Sequence, residues 1–335
     1  PRRTGHFGSE CSGHRRHACT QMPKVPVMPT TLRYRPDLID KLISNERLAS
    51  YQLVFQPAND VELMGVYLWN AHVCSALYPL ISTVEVSLRN AIDHTLTQDL
   101  GTFWWSSAQL RYRSFEAGKP PPRSVQILND NFIAATRKYI ADTRKRYQVR
   151  GHIRPSHAGV LAKTEFSTWE CLLDSEFMGR NLIWPRHLSA VFCGPWPAPQ
   201  ASTVLSQARE CVATLREFRN RLFHHEPAWK RYGVQAEADA LAHLHEKVSK
   251  AGNLLRLIQP ESLRLLKING LLQTAYRACD AAEIRRFQHL AKVKPIESLD
   301  ILAESVGRCN EHNCVVTAHL ASDPASDFLI LPRWT

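Results

Sequence analysis

The chain has 335 residues, 44% of them hydrophobic, and its 42 Lys and Arg against 31 Asp and Glu give a formal charge of +11. That apolar content is enough for the core of one large domain or two ordinary ones, and the charge favours a polyanion such as nucleic acid over an acidic protein substrate. Nine cysteines at irregular spacings, an odd number, read as reduced thiols of a cytoplasmic protein, which excludes a complete disulfide framework.

Residues 1–30 form a basic leader rich in proline and small residues, without the apolar segment of a signal peptide, and are expected to be disordered. Cys11, His14, His17 and Cys19 lie within it, but their spacing is tighter than that of structural zinc sites. Residues 31–258 read as one helical domain: N-terminal helices over 36–100, a basic insert over 101–160, and motif-bearing helices over 161–258. In the first part Leu38, Leu42 and Ile43, then Tyr67, Leu68, Val73 and Leu77, then Leu80, Val84, Leu88 and Ile92 recur at helical spacing, giving about three helices. The uncharged stretch 63–84 is long enough to raise the question of a membrane span. Asn70, His72, Ser75, Pro79 and Ser82 argue instead for two buried helices meeting near Pro79, and for no membrane partner.

The insert opens with Trp104 and Trp105 as an aromatic anchor in a proline-rich loop. It continues as a helix from Val125 to about Tyr147 that ends in Arg137, Lys138, Arg144, Lys145, Arg146, Arg150 and Arg154, interrupted by Asp142 alone. Helices are expected over 165–183, 202–225 and 237–258, with Pro227 stopping the second, and one or two more over 260–290. Residues 259–335 read as further helices and a less regular tail, in which 328–331 form a short strand or simply pack down. The fold class is all-α. Cys309, His312 and Cys314 lack a fourth ligand for a metal, and neither a glycine-rich phosphate loop, a serine-hydrolase elbow nor a two-metal carboxylate cluster is present in the sequence.

The segment 215–227, LREFRNRLFHHEP, carries the chemistry. At 100° per residue Leu215, Phe218 and Leu222 form one core stripe, Asn220 and His224 share another face with Arg216 beside them, and Arg219 flanks that face. Guanidinium, amide and imidazole on one helix suit RNA, whose 2′-hydroxyl is an internal nucleophile close to the scissile phosphorus. Imidazole titrates near neutrality and can take or give that proton. Arginine stays charged and binds two phosphate oxygens. The chemistry needs no metal and no cofactor. The plainer alternative is a helix end whose two histidines only complement the C-terminal dipole.

Arg219-Asn220-Arg221-Leu222-Phe223-His224 resembles the HEPN ribonuclease signature of arginine, usually asparagine, then histidine after a short gap, and His225-Glu226-Pro227 resembles its Abi-like (abortive-infection) branch. The runs 67–70 (YLWN), 84–92 (VEVSLRNAI) and 166–169 (FSTW), with Trp184 beyond, are similar to the same family, over roughly 36–258. The resemblance implies a HEPN-like helical bundle and an endoribonuclease whose site forms where two such helices face each other, a toxin in phage defence or a toxin–antitoxin system, restrained by a protein or RNA antitoxin. It makes Arg219, Asn220 and His224 catalytic, for phosphate stabilisation, orientation and acid–base work, with His225 able to stand in for His224. The bulky Phe223 departs from the commoner pattern.

RNA contacts are expected from Arg89, Asn90, Arg137, Lys138, Arg144, Lys145, Arg146 and Arg150. Arg89, Asn90 and His94 repeat the arginine–asparagine–histidine spacing, which allows an intramolecular pair of half-sites. The favoured arrangement is a homodimer in which two copies of the 219–224 helix meet, with His94 incidental and Glu85 paired to Arg89 one turn on. A non-catalytic HEPN-like RNA-binding or adaptor module is the rival reading, and a DNA-binding regulator lacks a helix-turn-helix signal.

Overall fold

The computed structural model describes Arg35 and residues 37–106, 110–148 and 150–333, so the expectations for the leader and for Cys11, His14, His17 and Cys19 lie outside the described residues. The protein is mostly helical, as its periodicity requires. In chain order a short π-helical turn at Ile39–Ile43 leads into α1 (Asn45–Phe55) and α2 (Asp60–Leu100). Next come α3 (Arg123–Tyr147), α4 (His157–Leu161), α5 (Phe166–Leu172), a 3₁₀ turn at Ser175–Phe177, α6 (Leu188–Val191) and α7 (Ala201–Phe223). Then follow α8 (Glu237–Ile258), α9 (Pro260–Ile268), α10 (Leu271–Ala278) and α11 (Ala281–Phe287), and last β1 (Lys294–Ile296), α12 (Leu299–His312), β2 (Val316–Leu320) and β3 (Asp323–Ile330).

Ten apolar residues three or four apart, Leu63, Val66, Trp69, Val73, Leu77, Leu80, Val84, Leu88, Ile92 and Leu96, are all buried. They keep one stripe of α2 inward along its whole length. Asn59 caps the start by accepting from the Glu62 N–H at 3.0 Å, and Gly101, with φ at 81°, turns the chain off the end. The expected break at Pro79 does not occur, and one 41-residue helix replaces two. Proline removes a single N–H from the helical ladder, Thr83 Oγ1 donates to the Pro79 carbonyl at 2.8 Å, and the buried Leu77 and Leu80 hold both sides of the site on the same core.

This helix is long and apolar enough to cross a membrane by length and composition, and here it is the spine on which α1 and α5 to α11 pack. Trp69 Nε1 donates to the Ala278 carbonyl at the end of α10 at 2.8 Å, and Asn70 Oδ1 accepts from the Ala228 N–H beyond α7 at 2.8 Å. Trp229, beside Ala228, stands edge-on to Tyr51 and Phe55 of α1. A side chain at Gly65 would collide with the Phe287 carbonyl, so glycine there lets α11 approach α2. The insert anchors as expected, with Trp104 fully buried and Trp105 stacked on Phe132 of α3 at 4.5 Å.

Four stretches differ from the sequence expectation. The one or two helices expected over 260–290 are three, α9 to α11, because Gly270 turns left-handed after α9 and Asp280 caps a new start by accepting from the Ala282 N–H. The helix expected over 165–183 ends at Leu172, because Asp174 caps a new 3₁₀ turn by accepting from the Glu176 N–H. Helix α7 ends at Phe223, so that His224 is its C-cap residue and His225 adopts a left-handed φ of 56°, both past the helix rather than within it. The C-terminal part is no irregular tail. β1 and β2 pair in parallel around α12, β3 returns antiparallel, and residues 328–330 belong to β3 while Leu331 follows it. Its own small core is Ile296, Cys309, Ala318 and Ile330. Ile296, Ala318 and Ile330, one on each strand, with Cys309 on α12, are too few for a legible period of two.

Asn70 tests the joint between α2 and the chain beyond α7. Asn70→Ala leaves the buried Ala228 N–H without an acceptor and should cost about 1–3 kcal/mol, read as a lower urea midpoint at unchanged slope.

Candidate functional site

The core stripes of α2 and α7 decide which side chains face the space between them. Burial of Val84 and Leu88 on α2 leaves Glu85 and Arg89 on the flank, and burial of Val212, Leu215 and Phe218 on α7 leaves Arg216, Arg219 and Asn220 beside them. Helix α3, held on α5 and α4, adds Lys138, and the turn between α4 and α5 adds Lys163 and Glu165. Together these residues line a cleft of about 540 Å³. Arg89, Lys138, Arg219 and Asn220, far apart in sequence and each singled out there, share it.

Inside the cleft the charges are only partly satisfied. Arg216 pairs with Glu170, and Lys163 with Asp142 at 2.6 Å. Arg219 lays its guanidinium 4.5 Å from the centre of the Phe223 ring, and its Nε stands 3.6 Å from Glu85 Oε2, an ion pair too long to be a hydrogen bond. Among the described residues that buried Nε has no hydrogen-bond partner. Burial pushes the Glu85 carboxyl above the usual carboxylate range, against the pull of Arg219 and then Arg89. An anion over Arg219 would satisfy its free N–H and tip this balance.

Glu85 is the functional residue that sequence reasoning misplaced. It was expected to pair with Arg89 one turn along α2, yet it reaches across to Arg219 on α7, while Arg89 Nε donates to Asn90 Oδ1 at 3.2 Å. An i, i+4 pair can be read from spacing, whereas a cross-helix pair requires knowing which faces meet.

The other expected residues lie elsewhere. His224 and His225 are exposed beyond the end of α7 and do not line the cleft. The His224 N–H donates to the Asn220 carbonyl at 2.9 Å, one turn along from the amide, and the His225 carbonyl accepts from Arg47. Phe223 is exposed there and meets Tyr78 of α2 edge to face at 5.5 Å. Arg137, Arg144, Lys145, Arg146 and Arg150 are exposed along and beyond the last turns of α3. Asn90 and His94 open instead onto a separate hollow of about 510 Å³ with Asp93 and His157. There Asp93 Oδ1 accepts from Trp104 Nε1 and from His157 Nε2, each at 2.8 Å, while His157 Nδ1 accepts from the Phe103 N–H. That network is closed on itself and anchors the insert. The repeated arginine–asparagine–histidine spacing is therefore split between two hollows.

No family of proteins, curated protein or solved structure matches this chain. The functional reading accordingly rests on the cleft and on the end of α7. Among the described residues no three His, Cys, Asp or Glu side chains are grouped to hold a metal. Cys309, one of the three C-terminal candidates, donates to the Ile330 carbonyl inside the small core.

Removing the Glu85 charge should unmask Arg219. Glu85→Gln is expected to tighten binding of inorganic pyrophosphate several-fold, in keeping with about 1 kcal/mol for a partly exposed pair, as titration calorimetry would show. Unchanged affinity would mean that the pair does not restrain the arginine.

Proposed function

We propose that the chain is a metal-independent endoribonuclease of HEPN type that cleaves single-stranded RNA in the cytoplasm. It would act as a toxin of abortive infection or of a toxin–antitoxin system and be held in check by a protein or RNA antitoxin. The observation that carries this reading is the convergence of Arg219 and Asn220 with Arg89 and Lys138 in one cleft whose buried arginine N–H is unsatisfied.

In this reading Arg219 binds the scissile phosphate and Asn220 orients it, while Arg89 and Lys138 hold a neighbouring phosphate and the exposed cations of α3 track the strand. The 2′-oxygen attacks phosphorus as its proton passes to a base. The P–O5′ bond breaks as an acid protonates the leaving oxygen, giving a 2′,3′-cyclic phosphate and a 5′-hydroxyl. His224, or His225 beside it, supplies one proton carrier per chain at the end of α7. A second carrier comes from a second copy meeting the first on a two-fold axis at that end. The exposed Phe223–Tyr78 pair there supports such a contact, since aromatic side chains are enriched in interfaces.

The placement of both histidines outside the cleft favours a second reading, a HEPN-like RNA-binding or adaptor module without catalysis. Cleavage of single-stranded RNA in excess EDTA separates the two. The nuclease reading expects persistent cleavage, no attack on DNA of the same sequence, and a loss of about a hundredfold or more in His224→Ala with RNA binding nearly intact. Binding without cleavage would leave the adaptor.

The dimer has its own test. Activity per chain should fall on dilution below the dimer dissociation constant, while His94→Ala keeps most of the rate. A sedimenting monomer that stays active, together with a dead His94→Ala, would point to an intramolecular site.

A further inference from the structure

A second cleft, of about 680 Å³, lies at the seam between the helical body and the C-terminal α/β unit. One wall is the end of α10 and helix α11. The other is the start of β1, the last turn of α12 and the start of β2. Six basic side chains line it, Arg277, Arg285, Arg286, Lys292, Lys294 and Arg308, against two carboxylates, Asp280 and Glu283.

Part of that charge is spoken for. Arg286 pairs with Glu283 at 2.6 Å, Arg285 with Glu237 at 2.8 Å, and Lys294 with Glu304 at 3.6 Å. Lys292 and Arg308 are exposed, and among the described residues no carboxylate stands within ion-pair distance of either. Arg277 is half-buried, and burial holds its guanidinium below the usual arginine range despite nearby Glu283. The seam is pinned beside it. Asn313, left-handed at the end of α12, accepts from Arg277 at 3.3 Å and donates to the Gln273 carbonyl of α10 at 2.8 Å.

The lining also includes the apolar Leu290, Val293, Pro295, Val315 and Val316, of which Leu290, Val293 and Pro295 are exposed. Cations and aliphatic side chains lining the same cleft match a molecule that carries both a charged group and a flat apolar one, and the volume is that of a small-ligand site. We propose that this cleft binds a nucleoside polyphosphate, with the phosphates against Lys292 and Arg308 and the base against the aliphatic side chains of the lining. The site is separate from the Arg219 cleft and does not depend on ribonuclease activity. A ligand there would bridge the two parts of the fold and hold them together.

The experiment is calorimetric titration of the full chain with ATP, inorganic triphosphate and a short single-stranded oligouridylate, with thermal unfolding followed in parallel. Saturable ATP binding at submillimolar concentration, a raised Tm, and weaker binding of triphosphate are expected. A Lys292→Ala, Arg308→Ala double variant should lose ATP affinity by about tenfold or more, as about 1.4 kcal/mol of lost phosphate contact gives, and keep its unliganded Tm because both residues are exposed. Absence of ATP binding, equal affinity for triphosphate and ATP, or an affinity untouched by the double variant would overturn the proposal. So would loss of oligouridylate binding, rather than ATP binding, in that variant, which would make the cleft part of an RNA track.

Discussion

The uninterrupted apolar stripe of α2 is the constraint from which the rest of the molecule follows. Each of its leucines, valines and isoleucines removes from water a side chain whose full burial contributes about 1.5–3 kcal/mol, and the stripe is shared with α1 and with α5 to α11. Its inward direction also decides the outward one. Glu85 and Arg89 stand at the edge of the cleft because Val84 and Leu88 are committed to the core, and Arg219 and Asn220 meet them because Leu215 and Phe218 are committed likewise. Core and cleft are two faces of the same pair of helices.

Electrostatics give the cleft a character that its shape alone would not. Arg219 faces a carboxylate at ion-pair distance and an aromatic ring behind it, so the guanidinium is oriented without being saturated. Glu85 is buried enough to resist ionisation, and its neighbours press it the other way. Such a pair is poised, because a phosphate arriving over Arg219 competes with Glu85 for the same charge.

Much of this was legible in the sequence wherever one helix was enough to argue from. The period of α2 and α7, the exact limits of the helix over 237–258, the burial of Leu215, Phe218 and Leu222, and the anchoring of Trp104 and Trp105 all follow from spacing within a segment. What spacing could not supply was the outcome of competition between segments. Pro79 reads as a break until the packing on both sides of it is known. His224 shares a face with Asn220 only if the helix continues, and it stops at Phe223. Glu85 has two arginines within reach in principle, and the fold selects the distant one. The small sheet is the extreme case, since its strands are short and its core is four residues.

That four-residue core has a further consequence. Among the described residues β1, α12, β2 and β3 bury Ile296, Cys309, Ala318 and Ile330, with Ile301, Leu302, Cys314, Val316 and Phe328 partly buried against them, a cluster separate from the main core and small against the entropy of ordering the segment. Its order is conditional on the body it leans against, through Asn313 and α10. Its backbone amides are therefore expected to exchange with solvent through local opening of the seam rather than through unfolding of the whole.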